Sequence, residues 1–165
     1  MSTKDNELLL ERQLCFGLSV ASRSVIAAYK PVLAQLDLTH PQYLVMLALW
    51  EQAPRRVKDI AAALRLESAT LSPLLRRLED LGFVSRTRDA ADERALAVDL
   101  TAAGVELRQR ALSVPGTMMA RLGLDRESAT QLHHSMMALI GSADHADDGA
   151  VPPPAGGPGP VPSGP

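Results

Sequence analysis

LESATLSPLLRRLEDLGFVSRTRDAADERALAVDL runs from Leu66 to Leu100 and changes its period halfway. Its first part puts Leu71, Leu74, Leu75, Leu78 and Leu81 on one helical face. Gly82 then stops the helix, as a C-terminal glycine does. FVSRTR (Phe83 to Arg88) and ALAVDL (Ala95 to Leu100) alternate in the strand manner, with Leu96, Val98 and Leu100 on one face. The polar DAADER between them reads as a hairpin. Just upstream, VKDIAAALRL (Val57 to Leu66) carries Ile60, Ala61 and Leu64 on one face, and Ser68 is placed to cap the helix that follows. Two short helices joined by a turn of about two or three residues form a helix-turn-helix. With the hairpin after it, the spacing predicts a winged helix-turn-helix: a mainly α fold with a small β-hairpin wing.

Outward from this stretch the chain is helical. Leu14, Leu18, Ala21, Val25, Tyr29, Val32 and Leu36 recur at steps of three and four, a stripe that predicts one long helix from Lys4 to about Leu36. Leu8, Leu9, Leu10, Cys15, Ile26 and Leu33 widen the stripe beyond what a small domain covers, so it points to a dimer. Thr39-His40-Pro41-Gln42 reads as a helix start, with a capping threonine, a proline in the first turn and a glutamine three residues on. YLVMLALWEQ after it is apolar nearly all round and should be buried. Thr101 is placed to cap AAGVELRQRAL, which Pro115-Gly116 interrupts, and a last helix is expected from about Asp125 to Ala143 with Leu132, Met136, Leu139 and Ile140 along its seam.

The expected organisation is a dimerisation and sensor helix at 4–38, the winged helix at 39–100, dimerisation helices at 101–145 and a tail at 146–165. The tail holds seven prolines and five glycines from Gly149 onward. It is expected to be disordered, because such a composition buries too little apolar surface to offset ordering entropy.

Net charge is -2 and the pI is near 6.1, so nothing in the bulk balance announces a nucleic-acid binder. The argument for DNA is local. Ser68, Thr70 and Ser72 lie near the N-terminus of the second short helix, where hydroxyls and free N–H groups suit phosphates and bases. Arg76 and Arg77 lie further along the same outer face, suited to guanine edges or phosphates. Arg86 and Arg88 stand on the strand into the wing. Arg94 on the hairpin suits a narrow minor groove, with Asp92 placed to orient it. The same arginines also fit a solvated face or a protein-binding winged helix.

There is one cysteine, Cys15, and therefore no intrachain disulfide. No apolar run approaches a membrane span of about 20 residues, and MSTKDNELLLER lacks the apolar core of a signal peptide. The chain reads as cytoplasmic, with no membrane partner. His133-His134 and His145 lack cysteine or spaced carboxylate partners, so no metal and no cofactor is expected.

LESATLSPLLRRLEDLGFVSRTRDAADERALAVDLTAAG, with its DxR at Asp92 to Arg94 and LTxxG at Leu100 to Gly104, resembles the recognition helix and wing of the MarR family of dimeric regulators. LCFGLSVASRSVIAAYKPVLAQLDLTHPQYLVMLALWE resembles the organic hydroperoxide resistance repressors, the OhrR type, whose sensing cysteine lies in a similar LCF context. The likeness spans roughly Leu8 to Leu112. It implies a homodimeric repressor on palindromic operator DNA, released when organic hydroperoxide oxidises Cys15. It implies further that two tyrosines of the partner subunit hydrogen-bond the thiol. Tyr29 matches the first. His40 stands where the second tyrosine is usual, and is expected to replace it as donor and to favour the thiolate.

Geometry adds a condition. Cys15 and Tyr29 are 14 residues apart, about 21 Å along a straight helix. They can meet only across two subunits, as in an antiparallel crossing of two first helices, or if the helix breaks. With no second cysteine in the chain, the lasting product of oxidation should be a mixed disulfide with a small cellular thiol, or over-oxidation. Two alternatives remain: a MarR-type repressor released by an aromatic or phenolic ligand, and a thiol peroxidase. The peroxidase is disfavoured by the missing resolving cysteine, so the chain is read as a regulator and not an enzyme.

Overall fold

In a computed structural model, residues 5–88 and 96–147 are described. Two 3-10 turns, Asp5–Leu8 and Leu10–Arg12, lead into α1 (Leu14–Leu33). The expected helix from Lys4 therefore starts about ten residues late. Gln13 accounts for the difference: its Nε2 donates to the Glu7 carbonyl at 2.6 Å and to the Leu9 carbonyl at 3.3 Å, holding the preceding turns instead of extending the helix. After α1 a 3-10 turn, Ala34–Leu36, ends at Asp37 in the left-handed region.

α2 (His40–Glu51) begins at Thr39 as expected. The Gln42 side chain, itself buried, accepts from the Thr39 N–H at 2.8 Å. α2 is followed by a two-residue strand, β1 (Arg55–Arg56), and then by α3 (Val57–Leu64) and α4 (Ser68–Asp80). Residues 65–67 form the turn, with Arg65 at φ +53°. Ser68 is the first residue of α4, not its cap; Glu67 holds the cap position. β2 (Val84–Arg88) and β3 (Leu96–Leu100) pair antiparallel, Val84 opposite Leu100 and Arg88 opposite Leu96.

The wing is a three-stranded sheet and not the expected two-stranded hairpin, because β1 pairs with the other edge of β3 in the order β1-β3-β2. Strict alternation fails on β3 for this reason: both Ala97 and Val98 are buried on the central strand, while Leu96 is exposed. The hairpin tip lies outside the described residues.

α5 (Ala102–Ala111) is capped by Thr101, whose Oγ1 accepts from the Gly104 N–H at 3.1 Å. Pro115-Gly116 does not interrupt this helix. α5 has already ended, and Pro115 sits in the first turn of α6 (Val114–Leu122), where a missing N–H costs little.

One core unites these elements. Leu33, Val45, Met46, Leu49, Ile60, Leu71, Leu75, Leu78, Val98 and Leu107 are almost wholly buried in it. Of the α4 seam, Leu71, Leu75 and Leu78 are core and Leu74 packs against it partly buried, while Leu81 falls at the C-cap and is only partly buried. The described residues divide into two compact units at Gly123, and the second contains α7 (Arg126–Asp147), which begins where Asp125 Oδ1 accepts from the Ser128 N–H at 2.7 Å. Leu132, Met136, Met137 and Ile140 of α7 are exposed. Among the described residues no helix is long and apolar enough to cross a membrane.

Candidate functional site

Two places carry the residues singled out by the sequence. The first is the outer face of α4. Burial of Leu71, Leu75 and Leu78 turns Ser68, Thr70, Ser72, Arg76 and Arg77 outward, and all five are exposed. The N–H groups of Thr70 and Leu71 already bond the Glu67 carbonyl, so the open donors at this helix start are those of Ser68 and Ala69. The Ser72 hydroxyl donates to the Ser68 carbonyl at 2.9 Å, which leaves its oxygen free to accept. Arg76 and Arg77 make no ion pair among the described residues and project as free cations.

Arg86 differs. Its guanidinium grips Glu79, with Nε at 2.6 Å and Nη2 at 2.5 Å from the same carboxylate oxygen. This contact holds the Glu79 carboxyl below the usual carboxylate range and raises Arg86. The pair fastens β2 to the last turn of α4 and cancels one charge of the local basic excess. Arg88 is exposed at the end of β2. Asp92 and Arg94 lie outside the described residues.

The end of α4 is also clamped to α5. Gly82 has φ +77°, which suits the chain reversal after the helix. Thr101 Oγ1 donates to the Gly82 carbonyl at 2.6 Å, and the Thr101 N–H donates to the Phe83 carbonyl at 3.1 Å. A Cβ at Gly104 would lie 2.0 Å from the Phe83 oxygen, so only glycine fits there. Trp50 of α2 closes the corner, its indole N–H donating to the Gly104 carbonyl at 2.9 Å.

The second place is α1. Cys15 is exposed in its first turn. Because α1 is unbroken from Leu14 to Leu33, Tyr29 of the same chain is about 21 Å away along the axis. The structure does bring Tyr29 and His40 together, with ring centroids 5.5 Å apart, edge to face. Tyr43 extends the cluster at 6.1 Å from Tyr29, and Trp50 follows at 6.2 Å from Tyr43.

Burial pushes Tyr29 and Tyr43 up, with Tyr29 adding to the rise at Tyr43, and burial pushes His40 down. All three rings are therefore neutral near pH 7. His40 offers one N–H as a neutral donor and does not act as an imidazolium in the single chain. The sequence reading named Tyr29 and His40 but missed the Tyr43–Trp50 continuation, whose signal was the i, i+7 spacing on one face of α2.

Beside this cluster lies a groove of about 550 Å³ between α1 and the start of α2, lined by Arg23, Ile26, Lys30, Leu38, His40 and Pro41 among others. A smaller cavity of about 260 Å³ is lined by Tyr43, Leu47, Trp50, Arg108, Leu112 and Pro115. Among the described residues no group of histidine, cysteine and carboxylate side chains is arranged to hold a metal.

Residues 27–110 match the family described as transcriptional regulator SarA/Rot. The organic hydroperoxide resistance transcriptional regulator of Bacillus subtilis strain 168 is 41% identical over 139 residues, covering 84% of this chain and 92% of that protein. Among solved structures, reduced AbfR bound to DNA, a Staphylococcus epidermidis protein, superposes with a TM-score of 0.74 at 32% identity, covering 87% of this chain and 99% of that one. CouR from Rhodococcus jostii RHA1, bound to p-coumaroyl-CoA, gives a TM-score of 0.69 at 25% identity, covering 80% and 94%.

Proposed function

The chain belongs to the winged-helix transcriptional regulators of the MarR/SarA type, and on that premise we propose that it is a homodimeric repressor switched by oxidation of Cys15. The observation that carries this reading is the lone exposed thiol at the first turn of α1, in a chain 41% identical to an organic hydroperoxide regulator. Tyr29 and His40 of the partner subunit supply hydrogen-bond donors to the sulfur, since those of the same chain are out of reach.

The chemistry follows from the thiol. The Cys15 thiolate attacks the outer oxygen of an organic hydroperoxide, forming an S–O bond as the O–O bond breaks. The alkoxide takes up a proton and leaves as an alcohol. The sulfenic acid then condenses with a small cellular thiol, giving a mixed disulfide and water.

The added bulk in a packed seam displaces the two first helices. Each displacement is passed to an α4 carrying Ser68, Thr70, Ser72, Arg76 and Arg77 toward the major groove, with Asp92 and Arg94 of the wing tip toward the minor groove. Two recognition helices moved off a spacing of about 34 Å no longer reach successive grooves together. Arg86 serves here by bracing the wing through Glu79.

A second reading has support in the 260 Å³ cavity, whose Tyr43, Trp50 and Arg108 suit an aromatic acid. Release by such a ligand needs no thiol. A gel shift on the protein's own upstream DNA, with and without an organic hydroperoxide, separates the two. Wild type should release the DNA on oxidation, and Cys15→Ser should stay bound. Release of Cys15→Ser by hydroperoxide would refute the thiol switch.

A further inference from the structure

We propose that α7 carries a cuprous-ion site built from His133, His134 and Met137. It stands on residues that neither the recognition helix nor the thiol uses.

Helical geometry brings these three together and keeps them off the apolar seam. At 3.6 residues per turn, the mean direction of His133, His134 and Met137 lies about 120° around α7 from that of Leu132, Met136, Leu139 and Ile140. Met137 is 50% exposed, so packing within the chain does not account for a large thioether there. It stands four residues after His133 and three after His134, which makes both imidazoles its neighbours on the helix surface. The two histidines, both exposed, also meet each other, with ring centroids 6.2 Å apart and ring planes at 49°. One metal ion bonded to a nitrogen of each imidazole at about 2.0 Å sets the two centroids no more than about 6.5 Å apart. The observed separation lies inside that limit, so each pair among the three side chains is in reach of a shared ion.

The donor set chooses the ion. His133 and His134 lack carboxylate or thiolate partners: the residues one turn away from either are Ala129, Thr130, Gln131, Met136, Met137 and Ala138. Zinc sites complete themselves with cysteine, further histidine or acid, and hard cations need oxygen ligands. Two imidazoles and a thioether are instead a soft, low-coordinate set, which selects cuprous ion. His145 stands two turns beyond Met137, and its Nδ1 lies 2.6 Å from the Gly141 carbonyl oxygen of its own helix. It is not part of the set.

The test uses the full chain in a Cys15→Ser background, because the thiol is itself a soft ligand for copper. Cuprous ion is offered anaerobically in competition with a chromophoric cuprous chelator. The chain should withdraw one ion. His133→Ala and His134→Ala should each weaken binding at least about ten-fold, a loss that removal of even an outer partner of a metal ligand can cause. Met137→Leu, which conserves volume, should weaken it as well, whereas Met136→Leu and His145→Ala should not. The substituted side chains are exposed, and far-UV circular dichroism checks that each variant keeps its helices. A chain that withdraws no copper overturns the site, and so does unchanged affinity in either histidine variant. Unchanged affinity in Met137→Leu, or an equal loss in Met136→Leu, overturns the thioether's place in it. Zinc binding as tight as copper binding would overturn the choice of ion.

Discussion

Residues 33–49 and residues 8–26 are both rich in leucine and valine, and they end in opposite surroundings. In the first, Leu33, Leu36, Leu38, Val45, Met46 and Leu49 are buried by the chain's own α3, α4, α5 and α6. In the second, Leu8, Leu10, Leu14, Leu18 and Ile26 remain exposed. A helical stripe read from sequence says which side chains want cover, but not whose atoms provide it. The closed half specifies the fold of one chain. The open half is left uncovered by the single chain.

The difference can be broken most severely at the closed end. Leu71→Ala should lower unfolding free energy by about 2–5 kcal/mol, a loss that urea titration finds equal at every protein concentration. Leu18→Asp, on the open half, should leave far-UV circular dichroism intact and instead lower the melting temperature most at high protein concentration, where association stabilises the wild type. A concentration-independent loss in Leu18→Asp would mean that this leucine is core after all.

A smaller effect sharpens the contrast within the winged helix. Glu79→Gln should cost about 1 kcal/mol or less, because the Arg86 pair is part exposed. The Glu79 carboxyl is lowered in the folded chain, so its stabilisation is full above the ordinary carboxylate pKa and is lost as pH falls through the lowered value. Glu79→Gln should therefore flatten the acid limb of a stability–pH curve: its cost is present at neutral pH and vanishes as the wild-type carboxylate protonates.

The smallest expected effect is at His40. Burial lowers its pKa from 6.5, so the folded chain binds this proton less readily than the unfolded one. Stability from this group is full above pH 6.5 and declines as pH falls through the lowered value. His40→Asn should remove that slope in thermal melts taken between pH 5 and 7. An unchanged slope would place the titration elsewhere.

Much of this was legible in the residues. The α4 leucines, Gly82, Thr39 and Thr101 each announce a local preference that the packing then uses. β1 was not legible, because Arg55-Arg56 is too short for a period and pairs only through its backbone. The start of α1 was misplaced because Leu8, Leu9 and Leu10 look helical, while the Gln13 side chain decides otherwise. Glu67 displaced Ser68 from the cap by one residue. The Arg86–Glu79 pair was not legible, because its partners lie seven residues apart across a chain reversal that sequence spacing does not reveal. Gly104 was noticed only as part of LTxxG; its reason, the Phe83 oxygen in its face, exists only in three dimensions.

The corner where Trp50, Thr101 and Gly104 hold the end of α4 has a mechanical meaning. Three elements are bolted there through short bonds and a site too tight for one methyl group, so little bending can be absorbed at that end. Compliance is left to the other end of α5, where the helix stops at Ala111 and α6 starts anew at Val114. The end of α4 and the start of α5 therefore turn as one lever, and its pivot is the break between α5 and α6.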